Sequence, residues 1–157
     1  MSVETTHIYK IIDQGNPEPD WNALLTEMLS AYDCTTGTIH ISNAEEDTLH
    51  LKACKGIPEF LLPKMTVIPV GKGMAGIAAQ RREVVQMCNL QTDESGVARP
   101  SAKETKVEGS MAAPILLNGK LYGTLGVAKP VPYEFNQHEI DTLMQIGERI
   151  ASKYDQG

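Results

Sequence analysis

The sequence has no apolar stretch approaching the ~20 residues that a membrane-spanning helix needs. Its first ten residues, MSVETTHIYK, lack the apolar segment of a secretory signal peptide. Basic residues are in the minority, because 14 lysines and arginines stand against 20 aspartates and glutamates, a formal net charge of −6. A protein that binds nucleic acid by neutralising phosphates needs a basic face. We therefore expect no nucleic acid and no membrane as a partner, and a cytoplasmic location.

Cysteine is also scarce. The three cysteines, Cys34, Cys54 and Cys88, are widely spaced and form no C-x-x-C pair, so neither a disulfide framework nor a cysteine-rich zinc site is expected. We interpret them as small buried hydrophobic side chains in a reducing compartment, with a single reactive thiol as the alternative. The histidines show no metal-ligand spacing, so we predict no metal site.

Motifs for catalysis are absent too: there is no G-x-S-x-G, no H-E-x-x-H, no Walker loop and no S-x-x-K. Residues 71–76 do read G-x-G-x-x-G, after one predicted strand and before a helical stretch. A dinucleotide-binding unit also needs a further parallel strand with an acidic residue at its end. The candidates Asp93 and Glu94 lie in a polar loop instead, so we interpret the glycines as a strand-to-helix turn. We predict no catalytic residue and no cofactor.

The remaining composition is that of a soluble globular domain, with 157 residues, 41% hydrophobic and 22% charged. Residues 1–19 are interpreted as an N-terminal extension, in which Ile8, Ile11 and Ile12 have helical spacing. Glycine and prolines at 15–19 then break the pattern. Residues 20–155 are predicted to form the main domain.

Helical patterns begin and end this domain. Asp20 is placed to cap a helix whose apolar stripe repeats at helical spacing. The stripe comprises Trp21, Leu24, Leu25, Met28, Leu29 and Tyr32. Near the C-terminus, Asn136 and Glu139 fit a capping box at the start of a second amphipathic helix. We expect His138 and Glu139 to lie on its solvated face.

Between the helices the pattern has period two. Residues 38–42 and 48–53 alternate polar and apolar around an acidic turn, which indicates a β-hairpin. Further strands are predicted at 67–70, 84–88, 111–117 and 121–128. The last two strands flank Asn118-Gly119, a strong two-residue hairpin turn. About six strands joined by tight turns predict a mainly antiparallel sheet and an α+β fold.

Two features suggest a ligand site. Thr38 and His40 face away from Ile39 and Ile41, so helices covering the isoleucines would leave them on the other side of the sheet, in a ligand pocket. The alternative is a hydrogen-bonded or exposed strand histidine. Residues 89–108 form a long polar loop of a kind that often covers a binding site, with a surface excursion as the alternative. Its basic residues are Arg99, Lys103 and Lys106.

Taken in order, several segments resemble GAF domains. They are GTIHIS and LHLKACKGIP at 37–42 and 49–58, IPVGKGMAGIAA at 68–79 followed by Val84-Val85, SMAAPILLNGKLYGTLGV at 110–127, and Phe135 with the helix at 139–150. The resemblance covers residues 20–153. It implies a GAF/PAS-like central antiparallel sheet of about six strands, with the N- and C-terminal helices packed on one face. A small-molecule pocket is then expected on the other face.

The resemblance also implies a function. We expect a sensory or regulatory module that binds an unidentified small-molecule ligand in signal transduction, forms a homodimer through its terminal helices and performs no catalysis. The ligand-binding residues are predicted on the pocket side of the strands and at the glycine turn. They are Thr38, His40, Met74, Ser110, Ala112 and Thr124.

Alternatives within the family remain. The Asn-Lys-x-Phe-type motif of its cyclic-nucleotide-binding members is absent. The free methionine-R-sulfoxide reductases carry a cysteine in the glycine turn and two more around the loop that follows, whereas this sequence has Met74-Ala75 in the turn and no cysteine between Asn89 and Leu117. A redox enzyme using Cys88 is therefore one alternative. A ligand-free dimerisation domain, with Leu143 or Ile150 at the seam, is another.

Overall fold

A computed structural model describes residues 3–16, 18–92 and 107–155. Most of the predicted long loop, residues 93–106, lies outside the described residues. Those described form five α-helices: α1 (Thr6–Gln14), α2 (Trp21–Tyr32), α3 (Leu62–Met65), α4 (Gly73–Arg81) and α5 (Gln137–Asp155). They also form six strands: β1 (Thr36–Asn43), β2 (Thr48–Lys55), β3 (Val67–Pro69), β4 (Val85–Met87), β5 (Ser110–Leu117) and β6 (Lys120–Ala128).

The strands make one sheet in the order β3-β2-β1-β6-β5-β4, and every neighbouring pair is antiparallel. The predicted antiparallel α+β fold is thereby confirmed. The Asn118-Gly119 turn is confirmed too, since both residues have positive φ, 53° and 79°, and Leu117 pairs with Lys120. These angles match the two-residue turn whose twist suits a hairpin.

Two irregularities bend the sheet. Ile39 pairs with Ala53 but its neighbour His40 pairs with Leu51, so Lys52 is an extra residue in β2. A similar step separates Ile115 and Leu116 where β5 pairs with β6. Such bulges increase the local twist and re-aim the side chains beside them.

Three helices cover one face of the sheet. The six predicted stripe residues of α2 are all buried, and they pack with Ile39, Leu125 and Ile115 from the sheet and with Ile146 from α5. The predicted packing of the terminal helices on one face is therefore confirmed. Burial of this apolar surface is the main stabilising contribution to the fold.

Helix α1, within the predicted extension, belongs to this helical layer. Its Ile8 and Ile12 are 1% and 0% exposed. The Val3 amide donates to Nε2 of His138 at 3.2 Å, while Nζ of Lys153 donates to the Gly15 carbonyl at 2.7 Å. The beginnings of α1 and α5 thus lie together, as do their ends, so the two helices run parallel.

The cap of α5 is a full capping box. The Glu139 amide donates to Oδ1 of Asn136 at 2.8 Å, and the Asn136 amide donates to Oε1 of Glu139 at 2.9 Å. The same Oε1 accepts the Tyr133 hydroxyl at 2.8 Å. His138 is exposed as predicted, but the expectation that Glu139 is solvated is wrong: it is buried, because its carboxylate serves as an internal acceptor.

Leu143 and Ile150 are both 0% exposed within the single chain. The idea that either lies at a dimer seam is therefore wrong, since the chain's own core covers them. The outer face of α5 presents polar residues such as Asp141, Gln145 and Glu148. Self-association through the terminal helices stays a prediction.

Among the described residues, none of the helices combines the length and the apolar character required to cross a membrane.

Candidate ligand-binding cavity

A cavity of about 130 Å³ lies on the sheet face opposite the helical layer. Strands β1, β5 and β6 form its floor, and the start of α4, the end of α3 and part of β3 lie over it. Its lining comprises Thr36, Gly37, Thr38, His40, Ile57, Lys64, Met65, Ile68, Lys72, Gly73, Met74, Ala75, Val107, Ser110, Met111, Ala112, Gly126, Val127 and Ala128. Most of these residues are apolar or small, as in ligand pockets generally.

The glycine-rich segment shapes the roof. Gly71 and Gly73 have φ of 95° and 68°, values that allow the chain to turn sharply from β3 into α4. A Cβ on Gly76 would lie 2.6 Å from the Pro69 carbonyl oxygen, so only glycine lets the helix pack this close to the turn. The predicted strand-to-helix turn is confirmed.

The N-terminus of α4 opens on the cavity. Lys72 occupies its N-cap position, and the side chain makes no capping hydrogen bond. By helix geometry, the first-turn amides of Gly73, Met74 and Ala75 have no intrahelical acceptor. All three residues line the cavity. The positive end of the helix dipole therefore faces the cavity.

The alternation of side chains along the strands determines which polar residues form the cavity floor. Thr38 and His40 of β1 and Ser110 of β5 face the cavity, while Ile39 and Met111 point their side chains into the core. Gly126 of β6 leaves space above the sheet, because a Cβ there would lie 2.9 Å from Oγ1 of Thr38.

His40 is the buried polar group of the floor, at 1% exposure. Its Nε2 lies 2.9 Å from the Met65 carbonyl oxygen. A carbonyl can only accept, so Nε2 carries the hydrogen and Nδ1 of the neutral ring is an acceptor. Burial lowers the pKa of His40 below its ordinary value, which favours this neutral form, although the Met65 hydrogen bond opposes the shift. Nδ1 has no hydrogen-bond partner among the described residues.

The predicted binding residues can now be located. Five of the six line the cavity: Thr38, His40, Met74, Ser110 and Ala112. Thr124 is outside the lining; it is 1% exposed and pairs with His40 across β1 and β6. Its Oγ1 also lacks a partner within the described part of the chain. Ligand binding by any of these residues stays a prediction.

The charged residues in the described part of the lining are all basic. The described lining includes Lys64 and Lys72 but no carboxylate. Neither lysine forms an ion pair with another described residue. Sequence reasoning missed both, although Lys72 stands inside the glycine motif; Lys64 belongs to the short helix α3, for which the sequence carries no periodic signal.

The cavity lining, as far as the structure describes it, contains no cysteine. Cys34 and Cys54 are half-buried, and burial raises the pKa of each thiol, for Cys34 to about 12. The expectation that all three cysteines are buried is wrong for Cys88, which is exposed just beyond the β4 edge strand. None of the three lines the cavity. No group of potential metal ligands occurs within residues 3–16, 18–92 and 107–155.

Comparison with known proteins gives one family and many similar folds. A protein-family model described as GAF domain matches residues 21–152. The GAF domain of an Acinetobacter phosphoenolpyruvate-protein phosphotransferase is 16% identical, with 96% of this chain and 89% of that chain covered and a TM-score of 0.78. Free methionine-R-sulfoxide reductase from Neisseria meningitidis, in complex with its substrate, is 16% identical, with 94% of this chain and 84% of that chain covered and a TM-score of 0.75.

A domain of a two-component sensor histidine kinase from Sinorhizobium meliloti 1021 is 18% identical, with 85% of this chain and 87% of that chain covered and a TM-score of 0.66. At these identities the likeness shows the fold. No curated protein sequence gives a significant match to the chain.

Proposed function

The chain belongs to the GAF domain family, and from that premise we propose that it is a regulatory module that binds a small molecule in the cavity over β1, β5 and β6 and performs no catalysis. The observation that carries the proposal is the cavity itself, which holds about 130 Å³ between the sheet and the start of α4 and is lined mostly by apolar or small residues. Small-molecule sites typically combine such a lining with a few polar groups, here Thr38, His40 and Ser110.

The strands of the cavity floor also contact the helical layer, and this connection supports a regulatory role. Strand β1 carries His40 on its cavity side and Ile39 on the side packed under the helices. Strand β6 carries Gly126 and Leu125 in the same alternation. A ligand that displaces either strand therefore shifts side chains beneath α1, α2 and α5, because a close-packed core transmits small displacements. The phosphotransferase and sensor-kinase neighbours are consistent with such a role.

The reductase neighbour raises an enzymatic alternative. Reduction of a sulfoxide by thiol chemistry needs a thiolate within reach of the substrate. None of the three cysteines lines this cavity, and burial raises the thiol pKa of Cys34 and Cys54. These observations favour binding without catalysis.

A thermal-shift screen of metabolites tests the proposal. A ligand present at about 100 times its dissociation constant should stabilise the protein by ~2.7 kcal/mol and raise the Tm by roughly 5–10 °C. Gly126→Val should abolish the shift, because its side chain would occupy the space beside Thr38. Lys52→Val is the matched control, since it places the same side chain on an exposed position of the sheet outside this cavity. A screen without any shift, or equal shifts in both variants, would contradict the proposal.

Catalysis is tested separately. Free methionine-R-sulfoxide and a dithiol reductant should give no turnover with the wild-type protein. Turnover that disappears in Cys88→Ser would establish the enzymatic alternative instead.

A further inference from the structure

Two hydroxyl groups on the cavity floor have no hydrogen-bond partner among the described residues, and they constrain the chemistry of the ligand, an inference that rests on the proposed function. Ser110 of β5 lines the cavity and is 8% exposed. Thr38 of β1 also lines it and is half-buried. Neither hydroxyl belongs to the fully enclosed polar atoms, as Nδ1 of His40 and Oγ1 of Thr124 do, so both are open to the cavity. Because buried hydroxyls are normally hydrogen-bonded, these two call for a ligand that supplies their partners.

The two hydroxyls stand on opposite sides of a patch that is almost without side chains. In the register of the sheet, Gly126 of β6 lies between Thr38 of β1 and Ala112 of β5. Ala128 of β6 lies beside Ser110. All five residues line the cavity. Since Ala112, Gly126 and Ala128 carry a methyl group at most, a flat molecule can lie on this patch with its edges towards the two hydroxyls.

The roof over the patch is apolar. It includes Ile57, Met65, Ile68 and Met74. Methionine side chains fill irregular spaces and make favourable sulfur contacts with aromatic rings. A molecule in this cavity therefore meets apolar groups above and below it and a hydroxyl at each of two edges. A planar aromatic ring with polar substituents has the matching distribution, because its faces are apolar and its polar atoms lie at its edge.

The volume limits the ligand to one ring. A cavity of about 150 Å³ lined by apolar side chains holds benzene. The cavity here is about 130 Å³, and it meets solvent where the exposed Lys64 and Lys72 border it. A single six-membered ring is therefore the size that fits, and a fused pair of rings is too large.

The positions of the hydroxyls favour substituents at opposite ends of the ring. Strand β6 separates β1 from β5, so the backbones of Thr38 and Ser110 lie about 10 Å apart across the sheet, two strand spacings. Oγ1 of Thr38 narrows this gap, because it lies 2.9 Å from where a Cβ of Gly126 would be. Thr36 borders the same cavity, but its Oγ1 lies towards Gly56 on the β2 side. A ring with one polar atom at each end, and a hydrogen bond of about 2.8 Å at each, spans the remaining distance.

We propose that the ligand is a single six-membered aromatic ring with hydrogen-bonding groups at opposite ends, one bonded to Thr38 and the other to Ser110. Its faces pack between the patch around Gly126 and the side chains of Met65 and Met74. Because a serine or threonine hydroxyl both donates and accepts, alcohol and phenol groups suit both ends.

Five probes test this assignment by protein-observed NMR titration. They are 4-(hydroxymethyl)phenol, 2-(hydroxymethyl)phenol, 4-methylphenol, benzyl alcohol and trans-4-(hydroxymethyl)cyclohexanol. We expect 4-(hydroxymethyl)phenol to bind most tightly, because it alone combines a flat ring with hydroxyls at opposite ends. Each of 4-methylphenol and benzyl alcohol lacks one hydroxyl and should bind about fivefold more weakly, as the net contribution of one hydrogen bond implies. The 2-isomer cannot reach both sides and the cyclohexanol is not flat, so both should also bind at least about fivefold more weakly.

Two variants assign the contacts. Ser110→Ala should weaken the binding of 4-(hydroxymethyl)phenol about fivefold and leave one of the two single-hydroxyl probes unchanged. Thr38→Val keeps the shape of the side chain and should do the same, with the other single-hydroxyl probe unchanged. The control Ser42→Ala removes a hydroxyl from β1 outside the cavity lining and should change no affinity. Should Ser110→Ala or Thr38→Val fail to fold, the order of the five probes with the wild-type protein decides alone.

The outcomes separate this inference from the proposed function. Equal binding of the cyclohexanol would overturn the aromatic ring, and equal binding of the 2-isomer would overturn the opposite placement of its groups. Unchanged affinities in both Ser110→Ala and Thr38→Val would overturn the hydroxyl contacts. In each of these cases, loss of binding in Gly126→Val leaves the binding role in place. If no probe binds, the ring assignment fails, and the metabolite screen then decides the binding role independently.

Discussion

Removing the Glu139 carboxylate should destabilise the protein more than any comparable change on the surface of α5. One oxygen, Oε1, accepts both the Asn136 amide at 2.9 Å and the Tyr133 hydroxyl at 2.8 Å. The Glu139 backbone carbonyl also accepts the Tyr32 hydroxyl from α2 at 2.9 Å. Glu139→Ala deletes the first two bonds and keeps the third. The side chain therefore ties the α5 cap to the segment that follows β6.

The magnitude follows from these two bonds. A hydrogen bond to a charged group contributes about 1.5–3 kcal/mol once exchange with water is counted, and because the two bonds share one oxygen we take the lower end for each. An acidic side chain in the first turn adds about 0.3–1 kcal/mol through the helix dipole. The better helix propensity of alanine offsets a few tenths. Glu139→Ala should thus lower the free energy of unfolding by about 3–4 kcal/mol, and the Tm by about 6–16 °C for a chain of this length.

Urea and thermal unfolding followed by circular dichroism measure this difference. Glu139→Gln retains an amide oxygen that can accept both donors, so it should lose only about 1 kcal/mol, the charge-dependent part. Asp141→Ala is the control, because Asp141 is exposed and contacts only the exposed Gln137 on the same helix among the described hydrogen bonds; it should change stability by less than ~0.5 kcal/mol. If Glu139→Ala and Asp141→Ala lose equal stability, the capping argument is refuted.

Two further predictions concern His40 and α1. Because burial lowers the pKa of His40 in the folded protein, the unfolded chain binds a proton first as the pH falls below about 6.5. The free energy of unfolding should therefore not depend on His40 above pH 7 and should decrease towards pH 5, by at most about 1.4 kcal/mol per pH unit. His40→Gln should remove this dependence on pH. If the variant shows the same slope, the prediction is wrong. Ile12→Ala should lower the unfolding free energy by about 2–5 kcal/mol in urea titrations, whereas the half-buried Ile11→Ala should lose clearly less. Equal effects would mean that α1 is not docked in solution.

The fold could be predicted from the sequence where the hydrophobic period and the turn residues indicated the same element. Strands β5 and β6 were predicted to within one residue, because alternation surrounds an Asn-Gly pair that only one turn type suits. The burial of Glu139 was not readable, because it depends on Tyr133, which approaches from a segment without regular structure. Nor were the bulges at Ile39/His40 and Ile115/Leu116, since a two-residue period says nothing about the register with the partner strand.

The sequence predicted the strand side of the cavity and the glycine turn of its roof. Alternation separated Thr38 and His40 from Ile39, and the glycine turn pointed to Met74. The roof residues Lys64 and Met65 were missed, because α3 is a single turn whose position is set by tertiary packing rather than by periodicity. Thr124 lies on the predicted face of the sheet but outside the cavity lining. Strand alternation predicts the face on which a side chain lies, but not whether that side chain borders the cavity.

The parallel arrangement of α1 and α5 fixes how the molecule would respond to mechanical load. Val3 lies beside the beginning of α5, and α5 extends 19 residues, about 28 Å, to Asp155. Tension applied at Val3 and Asp155 would draw the helices past one another lengthwise. The contacts of Arg149 and Lys153 with Asp13 and Gly15 would then be strained together rather than opened one after another, a shearing geometry that resists force better than unzipping.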